Sequence, residues 1–311
     1  MKKSTFSNSL MVVMAFIAMS VGTTACSSGD TNDISNDMNT IVASSSSSTD
    51  VPFSIVLKAI DTDGYDITTQ GDVNGVTLYV FDQNNKYYST INVDKSQILN
   101  RKSISINCSE ANQITVIALG GLNQENENVS IPATIEDLEV SLNENNGNIK
   151  NASDLFYGKT TIAKATTKSS DATQLQMTRK SSTISLTTKN LVKYFGNTEG
   201  TYTYKVKNVK KSMNYNGILS GSTTEYTFNA SFNANNELIS GNQVILGGSD
   251  VVVELYKDGK LLYSQNLDKN GEKLSVNEGK RAEMFFEYSS NTTSSVFVAD
   301  WGTAIIYATV G

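Results

Sequence analysis

From residue 51 onward the chain is patterned in twos. Phe53, Ile55 and Leu57 alternate with polar or smaller residues, as do Val76, Leu78 and Val80, and then Ile104, Ile106 and Cys108. A period of two buries one face of a run and leaves the other to solvent, so each reads as a β-strand. Further runs of this kind cover residues 114–119, 155–162, 183–188, 201–209, 226–232, 251–256, 261–267, 280–288 and 303–310. Clusters of Asn, Asp and Gly separate them, and the spacing predicts an all-β sandwich or barrel. The clearest hairpin lies within residues 252–263, where Asp258-Gly259 supplies the positive φ angles of a tight type I′ turn.

One segment departs from the period of two. Ser130 can cap, Pro132 sits near a first helical turn, and Ile131, Ile135, Leu138 and Leu142 recur at intervals of three and four. That spacing predicts a short helix packed on the sandwich. The most polar internal stretch, residues 164–174, places a domain boundary there and divides the body into 51–168 and 169–311, two halves of similar size and strand count.

The N-terminal fifty residues follow a different grammar. Lys2 and Lys3 precede an apolar run over residues 10–21 and the small residues Gly22-Thr23-Thr24-Ala25, which end at Cys26. Charged, apolar and small segments in that order make residues 1–25 a secretory signal. A dozen apolar residues are too few to span roughly 30 Å of hydrocarbon. Cys26 directly after Thr-Thr-Ala resembles a bacterial lipobox, in which the cysteine is lipidated and the chain is cleaved before it, although Thr23 stands where Leu is commonest. Residues 26–50 are rich in Ser, Asn and Asp with almost no apolar period, and are expected to form a flexible tether. Asp30 and Asp33, early acids after that cysteine, resemble the signal that sends lipoproteins to the outer face of the outer membrane.

Composition narrows the chemistry. The 311 residues carry 25 Lys and Arg against 31 Asp and Glu, a net charge of −6 with no basic stripe, which argues against a nucleic-acid partner. Histidine is absent, which removes Ser-His-Asp and Cys-His nucleophile pairs and histidine metal sites. Two cysteines are too few for a disulfide framework, and Cys108 falls on an apolar strand face as a small buried hydrophobe. Asp61-Thr62-Asp63-Gly64-Tyr65-Asp66 begins like a calcium loop but lacks the closing acids, and is expected to be a turn between strands. No nucleophile-elbow or phosphate-loop motif is present, and no cofactor, metal or small-molecule substrate is expected. Trp301, the single tryptophan, is expected to pack rather than to present a sugar platform.

Several segments taken together are similar to a known family. Residues 76–82 (VTLYVFD), 114–121 (ITVIALGG), 154–158 (DLFYG), Met177-Thr178-Arg179 before a Ser/Thr/Ile strand, and Ala299-Asp300-Trp301 resemble FimB-type subunits of Bacteroidia-type (type V) fimbriae. The likeness runs from about residue 53 to the end, behind the lipobox. It implies two tandem transthyretin-like β-sandwich domains and a non-enzymatic anchor or accessory role among fimbrial structural subunits, held to the outer membrane through lipid on Cys26. It also implies joining by strand addition, in which an extended segment of one subunit pairs with the open sheet of another. Stalk subunits of that superfamily open their groove when a protease specific for Arg or Lys removes the first strand. Residues 27–57 here contain neither residue. The first strand is therefore expected to stay, and the candidate donor is the C-terminal run carrying Thr303, Ile305, Tyr307 and Thr309. The competing reading is a surface glycan-binding lipoprotein, for which Tyr87-Tyr88 and the pair Tyr202 and Tyr204 are the aromatic clusters to inspect.

Overall fold

The computed structural model describes residues 51–145, 148–165, 171–268 and 270–289, together with the backbone of Thr309 and Val310. The signal, the tether with Cys26, the residues Thr303, Ile305 and Tyr307, and Trp301 lie outside the described residues.

The first half contains, in chain order, β1 (Phe53–Ile60), β2 (Gly75–Phe81), β3 (Tyr87–Asp94), α1 (Lys95–Leu99), β4 (Ile104–Ile106), β5 (Gln113–Gly120), β6 (Glu127–Val129), β7 (Glu139–Leu142), β8 (Glu144–Asn145), β9 (Asn148–Ile149), β10 (Phe156–Ala163) and β11 (Thr173–Arg179). The second contains β12 (Ser181–Lys189), α2 (Leu191–Phe195), β13 (Tyr202–Val209), β14 (Ser212–Asn214), β15 (Leu219–Ser220), β16 (Thr224–Phe232), β17 (Leu238–Leu246), β18 (Val252–Lys257), β19 (Lys260–Gln265), β20 (Arg281–Tyr288) and β21 (Thr309–Val310). The described residues are all-β apart from short helical turns, as the period of two requires.

A seven-stranded sheet runs β3-β2-β5-β10-β11-β1-β4, and an eight-stranded sheet runs β19-β18-β13-β16-β17-β12-β20-β21. All seven strands of the first sheet send side chains into one core, among them Leu57, Leu78, Val93, Ile106, Val116, Phe156 and Met177. A single sheet can enclose a core only by curling over it, and this one does, with Ile98 of α1 also packed inside. The opposite faces of β2 and β5 supply Tyr79, Phe81, Ile117 and Leu119 to a second core, built mainly from the inward residues of the eight-stranded sheet.

A four-stranded sheet, β15-β14-β7-β6, joins the halves, because β7 of the first pairs antiparallel with β14 of the second through Val140 opposite Met213. The second core is therefore common property of both halves. The seam between the two large sheets falls at Lys180. Strand β11, which a boundary at 168/169 places in the second half, pairs with β1 and β10 of the first sheet. Its inward residues Leu175 and Met177 explain this, since both are fully buried in the first core. The polar run before it misled the division because it is only a connection within one sheet.

The expected helix over residues 130–142 is not formed. A single 3-10 turn at Ile135–Asp137 is followed directly by β7. Asp137 accepts hydrogen bonds from the Thr134 amide and hydroxyl at 2.8 and 2.9 Å, fixing the turn and leaving Leu138, Val140 and Leu142 to alternate inward. Ile131, counted on the apolar stripe, is 80% exposed. The hairpin between β18 and β19 has the expected form, with Asp258 at φ 50° and Gly259 at φ 78°.

Candidate functional site

The first candidate is the slot filled by β1. Phe53, Ile55, Leu57 and Ala59 all point into the first core and are buried, while the residues between them are half-buried. On one side β1 pairs parallel with β11 from Ile55 opposite Thr173 to Ile60 opposite Thr178. On the other it pairs antiparallel with β4, Phe53 facing Ile106 and Ile55 facing Ile104. It is thus an inner strand, paired with β11 over residues 55–60 on one edge and with β4 over residues 53–55 on the other. Lys58, the first basic residue after the signal, sits within this ladder with Nζ 3.8 Å from Asp66 Oδ2.

The turn after β1 is held by its own polar groups. Asp61 Oδ1 accepts from the amides of Asp63 and Tyr65 at 3.0 and 2.8 Å, an Asx turn. Asp66 accepts from the Thr68 amide at 3.0 Å and from Arg101 Nη2 at 2.7 Å. The Thr68 side chain above all, then those two hydrogen bonds and the Arg101 charge, hold the Asp66 carboxyl well below the usual carboxylate range against the opposing effect of burial. Every acid of the loop that resembled a calcium site has such a structural partner, Asp63 pairing with Lys280 at 3.7 Å. Among the described residues no group of three or more metal-ligating side chains converges.

At the seam, β11 ends in Arg179, whose side chain is 8% exposed. Its Nη2 donates to Asp72 Oδ2 and to Asp154 Oδ2, each at 3.0 Å, and its guanidinium lies 4.9 Å from the Phe156 ring centroid. Asp154 also accepts from the Ser181 hydroxyl at 3.2 Å, and that hydroxyl accepts from the Leu155 amide at 3.0 Å. The first residue of β12 is in this way tied to the last of β11 and to the start of β10. Two of the segments that carried the family resemblance, 154–158 and 177–179, are here a single contact: Phe156 stands opposite Arg179 and Tyr157 opposite Thr178. The other two internal segments continue it, since β2, β5, β10 and β11 are consecutive in the sheet. Reading the sequence singled out both segments but not their pairing. The available signal was a lone arginine closing an otherwise alternating strand.

Cys108 is 4% exposed, and burial pushes its thiol up from the ordinary value, which makes it a poor nucleophile. The aromatic clusters proposed for sugar binding do not form a platform. Tyr202 and Tyr204 are buried, Tyr204 donating or accepting at 2.6 Å with the Thr188 hydroxyl, and Tyr87 packs edge-on against Phe81. Tyr88 is 48% exposed and donates to the Asn107 carbonyl at 3.1 Å. Two adjoining clefts of about 450 and 500 Å³ share Thr77, Asn92 and Leu122, and the rest of their lining mixes amide and carboxylate side chains with apolar ones such as Val76, Leu119 and Val129. The carboxylate of Glu127, pushed up by burial, faces inward there to accept from the amides of Asn123 and Ser153 at 2.9 and 2.6 Å, so it braces two loops.

Of the candidate donor residues, Thr309 alone falls within the description. It stands opposite Glu287 in a two-pair parallel ladder between β21 and β20, so it adds to its own chain's second sheet.

Residues 45–307 match the model of the family described as fimbrillin-A associated anchor proteins Mfa1 and Mfa2. Among curated proteins, the major fimbrium anchoring subunit FimB of Porphyromonas gingivalis is 28% identical over 111 residues, 34% of this chain. The match spans 36% of that relative's length, about a third. Among solved structures, the fimbrial anchor protein Mfa2 from Porphyromonas gingivalis superimposes with a TM-score of 0.60 at 11% identity, covering 80% of this chain and 98% of that one. A DUF1812 protein from Bacteroides thetaiotaomicron VPI-5482, proposed to bind polysaccharide, gives 0.63 at 17% identity over 81% of this chain and 96% of its own. At such identities the superpositions establish a common β-sandwich fold.

Proposed function

The chain belongs to the fimbrillin-A associated anchor proteins, and from that premise we propose that it holds a fimbrium to the outer membrane through lipid on Cys26. It acts without catalysis and joins its neighbours by strand addition. The observation that carries the anchor reading is the seating of β1. A subunit that accepts a donor strand must vacate a groove, whereas here the groove's occupant is an inner strand with four buried side chains and a partner strand on each side. The absence of Lys and Arg from residues 27–57 supports its retention, and so does the position of Lys58 inside the ladder. A continuous chain between lipid and fold is what an anchor requires, since a cut there would release everything attached.

The element offered to a partner is then the C-terminal segment with Thr303, Ile305, Tyr307 and Thr309. Among the described residues this segment meets its own chain in two residue pairs on β20. The test is isolation of the protein from detergent-solubilised outer membranes with identification of stoichiometric partners. Fimbrial subunits should co-purify with the intact chain and be lost when residues 303–310 are deleted, with the remaining fold unchanged. Recovery of the intact chain free of any fimbrial subunit would contradict the proposal. The glycan-binding alternative is less well supported, because Tyr202 and Tyr204 are spent in the core.

A further inference from the structure

An anchor stands in line with whatever pulls on the fimbrium, and the strand order says how this chain meets that force. Among the described pairings three are parallel: β1 with β11, β12 with β20, and β20 with β21. The first joins the first and last strands of its sheet in chain order, and the second joins the first strand of its sheet to β20, the last before the short β21. β1 and β11 share six register pairs, 55–60 with 173–178, and β12 and β20 share seven, 183–189 with 281–287.

Direction follows from this pairing. In a parallel pair the N-terminal end of one strand lies beside the N-terminal end of the other, so its C-terminal end is at the far side. A pull arriving at Phe53 and leaving through Arg179 therefore draws β1 and β11 past each other along their common axis. All the hydrogen bonds of the ladder are then strained together and none can fail first at an end. Had the two strands been antiparallel, the same pull would have opened the ladder one pair at a time. The chain then crosses Lys180 into β12 and would leave by the C-terminal end of β20, again at opposite ends of a parallel pair. Arg179, fixed to Asp72 and Asp154, and Ser181, bonded to Asp154, brace the crossing between the two ladders.

We infer that β1–β11 and β12–β20 are two force-bearing clamps in series, loaded in shear between an N-terminal tether and a C-terminal partner. The inference rests on the reading of Cys26 as the membrane attachment and of the C-terminal segment as the partner's, which together define the line of force. Forced unfolding is governed by the barrier to rupture rather than by equilibrium stability, so such a ladder can hold a fimbrium even in a protein of ordinary stability.

The test is single-molecule pulling on the soluble chain that carries Cys26→Ser, with handles at engineered cysteines; Cys108 is buried and does not compete for them. The pair Val51→Cys and Ser289→Cys applies the proposed line of force. The pair Val51→Cys and Ala172→Cys grips β1 and β11 at their adjacent N-terminal ends and unzips the same first ladder. At one loading rate the first pair should rupture at a several-fold higher force than the second. Equal forces in the two geometries would overturn the inference, as would an early low-force rupture in the first. Because lipid plays no part in this measurement, a wrong assignment of the membrane attachment would leave its result unchanged and would show instead in the purification from membranes.

Discussion

Arg179 and Asp154 close the seam between the two large sheets, with Nη2 3.0 Å from Oδ2 and Nε 2.8 Å from Oδ1. The arginine is almost fully covered and bridges to Asp72 as well, so its removal strands two acids beside each other at the point where one sheet hands over to the next. Arg179→Ala is expected to cost about 2 kcal/mol, below the range for a wholly buried pair because both acids keep some contact with water. Arg179→Lys should recover little of it, since a point charge cannot make the two-pronged contact. Urea midpoints of the three proteins check this.

Gly158 lies on β10 directly against the backbone of β11. A methyl group there would stand 2.3 Å from the Gln176 carbonyl oxygen and 2.5 Å from Leu175 Cδ2, neither of which can retreat from a buried ladder. Gly158→Ala is expected to cost about 3 kcal/mol, by overpacking. Gly259→Ala, in open space at φ 78°, should cost only about 1 kcal/mol, from the left-handed backbone alone. Thermal midpoints of the two variants should rank in that order.

Cys108 should react with a thiol reagent only as fast as the first core opens, because it is buried and its thiol is pushed up. Cys108→Ala should fold normally at a cost of about 1 kcal/mol. Rapid labelling under native conditions would disprove the burial.

The Asp66 carboxyl is held below its ordinary 3.8 by Thr68 and Arg101. A depressed carboxylate contributes stability that is present above its unfolded value and is lost as pH falls through its folded one. The unmodified protein should therefore lose stability below about pH 4 more steeply than Asp66→Asn, while being the more stable of the two near neutrality. Denaturant titrations of both across that range test the sign.

The strands that the sequence disclosed most readily are those with one wet face, such as Phe53 to Ile60, where alternation is unbroken. Strands β3 and β17 escaped notice because their residues are largely polar or half-covered, Thr90 and Asn92 facing outward and Gly241 at φ 67° interrupting β17. The segment around Ile135 misled because intervals of three and four are also produced by a turn followed by a strand. The seam at Lys180 leaves no mark in composition, because the polar connection before β11 reads like a linker while Leu175 and Met177 of the strand after it lie in the first core. The importance of Arg179 could not be read along the chain, as its partner Asp72 is 107 positions away. Strand β1, by contrast, was legible in its unbroken alternation, which the structure seats in the first core.

Whether β1 stays attached to the lipid decides the account. Intact-mass measurement and N-terminal mapping of the protein taken from cell membranes tests this directly. The account predicts a mature chain that begins at an acylated Cys26 and runs without a break through Phe53 and Lys58. A mature chain beginning after Lys58 would contradict it, for the inner strand would then have been removed to make room for a donor.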